Sequence, residues 1–331
     1  MTANGRVFAC GIGKHNVLGQ GSRTDAPNAD TPVPVPGAKD IVQMATGAVH
    51  MIALDSAGKV WTWGAGGRSS PIGRSGENAS PGVVGGPLAD AKVTQVAAGR
   101  RHGVAMDSQG RVYTWGNGHY GALGTGGRRD QPEPVEVTLP GVAVQVAAGS
   151  DHTLVLLEDG TVLAFGSEEA GQCGAGFASR CLRTPQAVNG LQGKGISKIA
   201  AGEYHSVALG GDGKVYMWGA NKDAQLGTGG RTNAGAPREV EALHGHQVVD
   251  VKGGAHTLFL TAEGRLFACG RGREGQLGRG DGLESVAGFR EEPVEVTSLV
   301  KAATADGMSG TVRIVSIGAG RHHSAAIVSN E

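Results

Sequence analysis

The chain has 331 residues, and its 30 Lys and Arg balance 30 Asp and Glu, so the formal net charge is zero. This balance argues against binding to nucleic acid or to an anionic membrane through bulk charge. Glycine makes up 59 residues, while 39% of the chain is hydrophobic. Many glycines beside an ordinary apolar fraction indicate many short elements joined by tight turns.

The cysteines and the hydropathy of the chain indicate in which compartment the protein resides. The cysteines form no C-x-x-C pair, which argues against a disulfide framework or a structural zinc site. The N-terminus shows no signal-peptide core, and no apolar run approaches the ~18 residues that cross a membrane. We therefore predict an intracellular protein without a membrane partner, cytoplasmic by default, with the nucleus and the cilium as alternatives.

From the N-terminus onward, a strand that ends in an aromatic-glycine step recurs every 50 to 53 residues. Its copies are RVFACG ending at Gly11, KVWTWG at Gly64, RVYTWG at Gly116, TVLAFG at Gly166, KVYMWG at Gly219 and RLFACG at Gly270. A second motif, small residues followed by G-x-x-H, recurs with the same period. Its histidines are His50, His102, His152, His205, His256 and His323. A glycine loop such as ALGTG (122–126) and a Pro-Val segment such as PEPVEV (132–137) complete each repeat.

Four short extended segments per repeat, with turn residues between them, predict an all-β fold in which each repeat is one four-stranded blade of a β-propeller. Largely apolar residues on both faces of strands such as RVYTW (111–115) fit a sheet that is covered on two sides. We predict a single closed propeller over 1–331 with six blades, seven being the less favoured count. The blades are predicted at 41–84, 93–137, 142–188, 196–240, 248–296, and 312–328 together with 6–35.

The two ends of the chain supply the halves of the last blade. The chain starts with an aromatic-glycine strand (6–10) and a Pro-Val strand (32–35), and it ends with a small-residue strand (312–320) and a His strand (323–328). We predict that these strands join in one sheet, because such a join removes free edges that invite aggregation.

The motifs V-A-A-G-x-x-H, V-Y-x-W-G and L-G-x-G resemble those of the regulator-of-chromosome-condensation repeat family across nearly the whole chain. The resemblance implies a β-propeller that binds other macromolecules. Members of this family include a guanine-nucleotide exchange factor for the small GTPase Ran, domains of ubiquitin ligases, ciliary scaffolds and a UV-B receptor. The shared fold therefore does not by itself indicate which function this chain has. Trp63, Trp115 and Trp218 occupy the structural position of the repeat, which leaves no tryptophan cluster for light sensing.

No catalytic, cofactor-binding or metal-binding residues are predicted. The stretches 116–121 and 270–275 spell G-x-G-x-x-G, but a glycine loop and a strand follow where a dinucleotide site requires a helix. The repeat histidines fall in different blades, too far apart to share one metal ion. We predict that each histidine ties its own tight corner by hydrogen bonds, as a buried polar group requires.

The two variable residues inside each G-x-x-H corner are predicted to ring one mouth of the central channel. Basic corners lie on one side of this mouth and acidic corners on the other. We predict that the basic side faces an acidic patch of a protein partner and that the acidic side faces a basic one; the alternative is a charged rim that only contacts solvent. The partner-binding candidates are Arg100, Arg101, Asp151, Glu203, Tyr204, Arg321 and His322.

The sequence thus predicts a non-catalytic scaffold for protein–protein interaction, without a cofactor. The alternative is a guanine-nucleotide exchange factor for a Ran-like small GTPase, which needs no catalytic motif because it acts by stabilising its nucleotide-free partner. An enzyme that uses the channel has the least support. Neutral charge and the lack of a basic tail before the first strand argue against nucleic acid as a partner. A long link at 297–311 is a further candidate for a functional loop.

Overall fold

The computed structural model describes residues 1–2, 4–21, 27–66, 70–177, 179–278, 288–299, 301 and 312–330. Most of the candidate link at 297–311 falls outside these residues. The chain divides into two compact units. The first comprises Met1–Glu158, Leu163–Gly166 and Cys181–Gln186, and the second comprises Asp159–Val162, Ser167–Arg180 and Ala187–Glu331. In the described residues, 3-10 turns lie at Lys14–Asn16, Gly86–Leu88 and Glu241–Leu243.

The first unit holds one two-stranded and three four-stranded sheets, of which the last extends past the unit boundary by single residues. Its strands are β1 (Phe8–Gly11) and β2 (Ala29–Pro34); β3 (Ile41–Thr46), β4 (His50–Asp55), β5 (Val60–Gly64) and β6 (Gly82–Val83); β7 (Val93–Ala98), β8 (His102–Asp107), β9 (Val112–Gly116) and β10 (Gln131–Val137); and β11 (Ala143–Ala148), β12 (His152–Leu157), β13 (Val162–Ser167) and β14 (Cys181–Ala187).

The second unit holds two four-stranded sheets and one two-stranded sheet. Its strands are β15 (Ile196–Ala201), β16 (His205–Gly210), β17 (Val215–Gly219) and β18 (Ala234–Glu239); β19 (Val248–Gly253), β20 (His256–Thr261), β21 (Leu266–Arg271) and β22 (Phe289–Glu295); and β23 (Val312–Ala319) and β24 (Ser324–Asn330).

Every four-stranded sheet keeps its strands in chain order, so the small-residue strand is followed by the His strand, the aromatic-glycine strand and the outer strand. The pairing between the two middle strands is antiparallel and keeps one register: His50 lies opposite Gly64, and His205 opposite Gly219. The histidine corner and the start of the glycine loop therefore lie at the same edge of each sheet. The four-segment repeat predicted from the sequence is confirmed in these sheets.

The core lies between the sheets, on both faces of the middle strands. Trp63, Trp115 and Trp218 are fully buried, each from an aromatic-glycine strand. The glycine loop of the preceding sheet passes beneath such a ring: a Cβ on Gly73 would lie 2.7 Å from ring atoms of Trp115. Gly73 also has a φ of 65°, which L residues rarely adopt. The loop glycines are therefore required both by packing and by backbone conformation.

The outer strand of the first four-stranded sheet is reduced to Gly82–Val83, although the repeat predicts a longer segment. Arg74 accounts for the difference, because its Nη2 donates to the carbonyl oxygens of Thr62 (2.9 Å) and Ser80 (3.0 Å). The guanidinium takes the position where a longer outer strand would pair with β5.

The termini form two separate two-stranded sheets, β1–β2 in the first unit and β23–β24 in the second. Cys10 on β1 and Ile327 on β24 are exposed, the latter at 63%. The joining of these sheets into a sixth blade, and with it the closed ring, stays a prediction from the sequence.

Candidate partner-binding face

Each histidine corner is closed by its backbone. The amide of Gly99 donates to the carbonyl oxygen of His102 at 2.9 Å, and the amide of Gly202 donates to that of His205 at 2.8 Å. The imidazole ring folds over this glycine, so that a Cβ on Gly99 would lie 2.0 Å from the His102 ring. The motif needs glycine here because the ring fills the space of any side chain.

The histidine side chains bind the neighbouring sheet and not their own corner, so that part of the sequence prediction is wrong. For three of the histidines, Nε2 lies within hydrogen-bonding distance of the Ser or Thr that follows the histidine of the next sheet. The pairs are His102 with Thr153 (3.1 Å), His205 with Thr257 (2.9 Å) and His256 with Ser324 (2.6 Å). The same hydroxyls donate to carbonyl oxygens of the preceding glycine loops, for example Thr257 to Gln225 at 2.8 Å. One hydroxyl therefore joins two sheets.

His50 breaks this pattern. The residue after the next histidine is Gly103, which carries no hydroxyl, and both ring nitrogens of His50 lack a hydrogen-bond partner within the described residues. Gly103 is required for another reason: a Cβ there would lie 2.2 Å from the ring of Trp115. The glycine that the packing of Trp115 requires therefore leaves His50 without the hydroxyl partner that the other three histidines have.

Burial lowers the pKa of each histidine in these pairs. The pKa falls to about 4 for His102 and His256, and to about 3 for His50 and His205. Desolvation is the largest cause in all four, and charge repulsion from the next histidine adds to it for His50, His205 and His256. All four rings are therefore neutral at pH 7. Within the described part of the chain, no group of three or more His, Cys, Asp or Glu side chains is placed to hold a metal ion.

Successive corners are linked by backbone hydrogen bonds. In the first unit, the amide of Ala48 donates to the carbonyl of Arg100 (3.1 Å), and the amide of Arg100 donates to that of Ser150 (3.0 Å). In the second unit, the amide of Glu203 donates to Gly254 (2.9 Å). The corner residues predicted for partner binding thus stand side by side within each unit.

The fifth corner is shorter than the others by one residue. Gly254 donates to the carbonyl oxygen of His256 at 2.8 Å, which is the bond that Gly99 makes three residues before His102. Ala255 is the one residue between Gly254 and His256 in this corner, and it is buried. The gap leaves room for side chains from the corners on either side.

Arg321 and Glu203 meet across this gap. Nε of Arg321 lies 3.2 Å from Oε1 of Glu203, although the two residues belong to the corners of different sheets. Nδ1 of His322 lies 3.8 Å from Oε1 of Glu274, and Oε2 of the same carboxylate accepts a hydrogen bond from Nε of Arg271 at 3.0 Å. In the second unit these two candidate charges therefore lie against each other, and their binding to a partner stays a prediction.

The remaining candidates differ in exposure. Arg100 and Arg101 are exposed, and neither guanidinium has a hydrogen bond or ion pair within the described residues. Asp151 and Tyr204 are half-buried, and the Tyr204 carbonyl accepts the amide of Ala220 at 2.8 Å. The basic side of the predicted mouth thus remains available at Arg100 and Arg101.

The structure adds Arg128 and Arg129 to this basic area. The Arg101 carbonyl accepts the amide of Asn117 at 2.9 Å, and Oδ1 of Asp130 accepts from Asn117 (3.2 Å) and from the Gly118 amide (2.9 Å). Arg128 and Arg129 immediately precede Asp130 and are exposed. We call Arg100, Arg101, Arg128 and Arg129 the arginine surface. The sequence signal for these two arginines was the R-R-D run (128–130) after the glycine loop. That the run lies beside the corner depends on the hydrogen bonds of Asn117, which the sequence does not show.

Four antiparallel strands per sheet, joined to the next sheet through a buried histidine and a hydroxyl, define a repeat protein of the β-propeller class. A family model for the RCC1-like domain matches residues 2–331. The chain belongs to the RCC1-like β-propeller family, as the sequence motifs predict. Among the described residues, no helix is both long and apolar enough to cross a membrane.

Curated relatives share the domain but differ in size. The chain is 33% identical over 310 residues to the ultraviolet-B receptor UVR8 of Arabidopsis thaliana, covering 92% of this chain and 67% of the receptor. It is 33% identical over 296 residues to the E3 ubiquitin-protein ligase HERC2 of Homo sapiens, covering 85% of this chain and 6% of the ligase. The ligase is thus far longer than the region that it shares with this chain.

Solved structures agree with this assignment. Yeast RCC1 (Prp20), crystallised with Kap60, aligns with a TM-score of 0.83 at 26% identity, covering 99% of this chain and 77% of that chain. Prp20p from Saccharomyces cerevisiae, characterised for its binding to Gsp1p and histones, aligns with a TM-score of 0.82 and covers 80% of that chain.

Proposed function

We propose that the chain is a non-catalytic scaffold that binds a protein partner at the sheet edge carrying the histidine corners and the glycine loops. The observation that carries this proposal is the pair of exposed arginines, Arg100 and Arg101, held without an ion-pair partner on a corner fixed by backbone hydrogen bonds. Unpaired charge on a rigid loop is typical of a binding surface, because loops placed by a scaffold carry function. The six-bladed closed ring is part of this proposal, since closure would fix the corners relative to one another.

Site-specific photo-crosslinking tests which edge binds. A photoreactive residue at His119, in the glycine loop beside the corner, is compared with one at Gln109, in the exposed β8–β9 turn at the opposite edge of the same sheet. We expect the partner to be captured from His119 and not from Gln109. Capture from Gln109 alone would move binding to the other edge and contradict the proposal.

A second candidate is nucleotide exchange on a Ran-like small GTPase. The likeness to Prp20p, which was characterised for its binding to Gsp1p, favours it over other family roles. Such activity needs no catalytic group, because an exchange factor only has to bind the nucleotide-free state more tightly than the loaded one. The test is release of a fluorescent GDP from a Ran-like GTPase with the purified chain. Release at the intrinsic rate would remove this candidate and leave the scaffold proposal intact.

A further inference from the structure

The arginine surface points to the chemistry of the partner. We propose that Arg100, Arg101, Arg128 and Arg129 together bind an acidic segment of a protein partner through its carboxylates. This inference rests on the proposed function, since it assigns a ligand class to the same sheet edge. It goes further by joining a corner and a loop into one site and by excluding Arg321 from it.

The four arginines lie on adjoining backbone. Asn117 connects the two parts, because its amide binds the Arg101 carbonyl and its side chain binds Asp130, the residue after Arg129. Gly118 packs directly on this segment: a Cβ there would lie 2.2 Å from the carbonyl oxygen of Arg129. The loop segment that carries Arg129 therefore packs against the backbone that follows Asn117, and only glycine fits at position 118.

Both parts are held in place before any partner binds. The corner is fixed by hydrogen bonds on either side, from Ala48 to Arg100 and from Arg100 to Ser150. The loop is fixed by hydrogen bonds from Gly124 to Gly121 (3.0 Å) and from Gly126 to the Arg183 carbonyl on β14 (2.9 Å). Because the backbone under the four arginines is already fixed, binding has only their side chains to order, which lowers the entropic cost.

Two arginines elsewhere in the described residues show the usual pairing with a carboxylate. Arg111 lies 2.7 Å from Asp107 and Arg265 lies 2.6 Å from Glu295. The guanidinium groups of the arginine surface have no such partner within the described residues, and the nearby carboxylate of Asp130 is turned to Asn117 and Gly118. Guanidinium binds carboxylate through two parallel hydrogen bonds, which makes an acidic side chain the matching ligand.

A short acidic peptide fits this surface better than nucleic acid does. Glu133 and Glu136 are exposed on β10, which begins directly after the loop, so negative charge borders the positive area on that side. A long phosphate backbone would run over these carboxylates, whereas a peptide with a few acidic residues ends within the arginine surface. The zero formal net charge of the whole chain also removes the bulk attraction that nucleic-acid binding relies on.

Fluorescence anisotropy with defined probes tests the inference on the full chain. The probes are a labelled peptide of alternating Glu and Gly, the same peptide with Gln for Glu, and a single-stranded oligonucleotide of equal length. The variants are Arg100→Glu with Arg101→Glu, and Arg128→Glu with Arg129→Glu. A control of equal charge change, Lys14→Glu with Arg238→Glu, alters exposed residues that are not part of the arginine surface. Circular dichroism verifies that each variant is folded.

We expect the Glu peptide to bind and the Gln peptide not to bind at low salt. Each arginine double variant should weaken binding at least about tenfold, and the control should change it less than about twofold. Equal binding of both peptides, unchanged binding in both arginine variants, or tighter binding of the oligonucleotide would overturn the inference. If the peptide fails to bind while photo-crosslinking from His119 still captures a partner, the scaffold proposal stands and only the acidic ligand is wrong.

Discussion

Arg321 and Glu203 form an ion pair, with 3.2 Å between Nε and Oε1, across the fifth corner, in which Ala255 is the one residue between Gly254 and His256. The pair places two of the predicted partner-binding residues in contact with each other. The arginine surface differs from this pair. Its arginines are exposed, and within the described residues they have no carboxylate partner.

Removing this ion pair should cost little stability. The Arg321 side chain is 62% exposed, so solvent screens the attraction and Glu203→Gln should change the free energy of unfolding by less than about 1 kcal/mol. Urea denaturation at pH 7 measures the change. A loss above about 2 kcal/mol would show that the pair holds the two sheets together.

The buried histidines should make the protein less stable as the pH falls. Their folded-state pKa values of about 3 to 4 lie below the ordinary 6.5, so the unfolded chain binds more protons between about pH 6.5 and pH 4. Stability is therefore fully present above pH 6.5 and is lost as the pH decreases, by up to about 1.4 kcal/mol per pH unit for each histidine. Urea denaturation at pH 7.5, 6.0 and 5.0 measures this slope, and replacing the exposed His119 with Gln should leave it unchanged. A free energy of unfolding that stays flat down to pH 5 would contradict the assignment.

Thr257→Val should destabilise the second unit. The substitution keeps the shape but removes the hydroxyl that binds both His205 and the Gln225 carbonyl, and it leaves buried polar groups unpaired. The expected loss is about 1 to 3 kcal/mol. Thr232→Val, at an exposed position in the same unit, is the control for the change of side chain. Equal stability of the two variants would show that the hydroxyl bridge contributes nothing.

Gly103→Ala should destabilise the first unit because the added methyl group meets the Trp115 ring at 2.2 Å. Overpacking of this kind typically costs about 1 to 3 kcal/mol. At Gly127 the nearest atom to an added Cβ is 3.9 Å away, so Gly127→Ala should be close to neutral. Thermal unfolding of the two variants side by side gives the comparison, and similar midpoints would contradict the packing argument.

Closure of the terminal blade has a chemical test. If β1 pairs with β24 in the register of the other sheets, in which Ser206 lies opposite Trp218 and Thr257 opposite Cys269, then position 324 lies opposite Cys10. Ser324→Cys should then form an intramolecular disulfide on mild oxidation, detected by a mobility shift on non-reducing gels. The same variant with Cys10→Ser should show none. A disulfide-linked dimer would indicate strand exchange between two copies, and no disulfide at all would contradict the predicted register.

The strands, their order and the burial of Trp115 could be predicted because apolar periodicity and turn residues act locally. The direction of the histidine hydrogen bonds could not, because it depends on how one sheet packs on the next. A signal was present nonetheless: Thr153, Thr257 and Ser324 each follow a repeat histidine. The short fifth corner is visible in the sequence as KGGAH (252–256), but the Arg321–Glu203 pair could not be predicted, because it depends on where the two side chains lie in three dimensions.

The joint at His50 has a consequence for the order in which the protein comes apart. Beside His102, His205 and His256, one hydroxyl binds groups of two neighbouring sheets. Unfolding of one sheet therefore breaks a hydrogen bond of the other, which couples the unfolding of the two. At His50 this coupling is missing, because Gly103 supplies no hydroxyl. The seam between β3–β6 and β7–β10 should therefore open more readily than the seam beside His102, and its amides should exchange with solvent sooner.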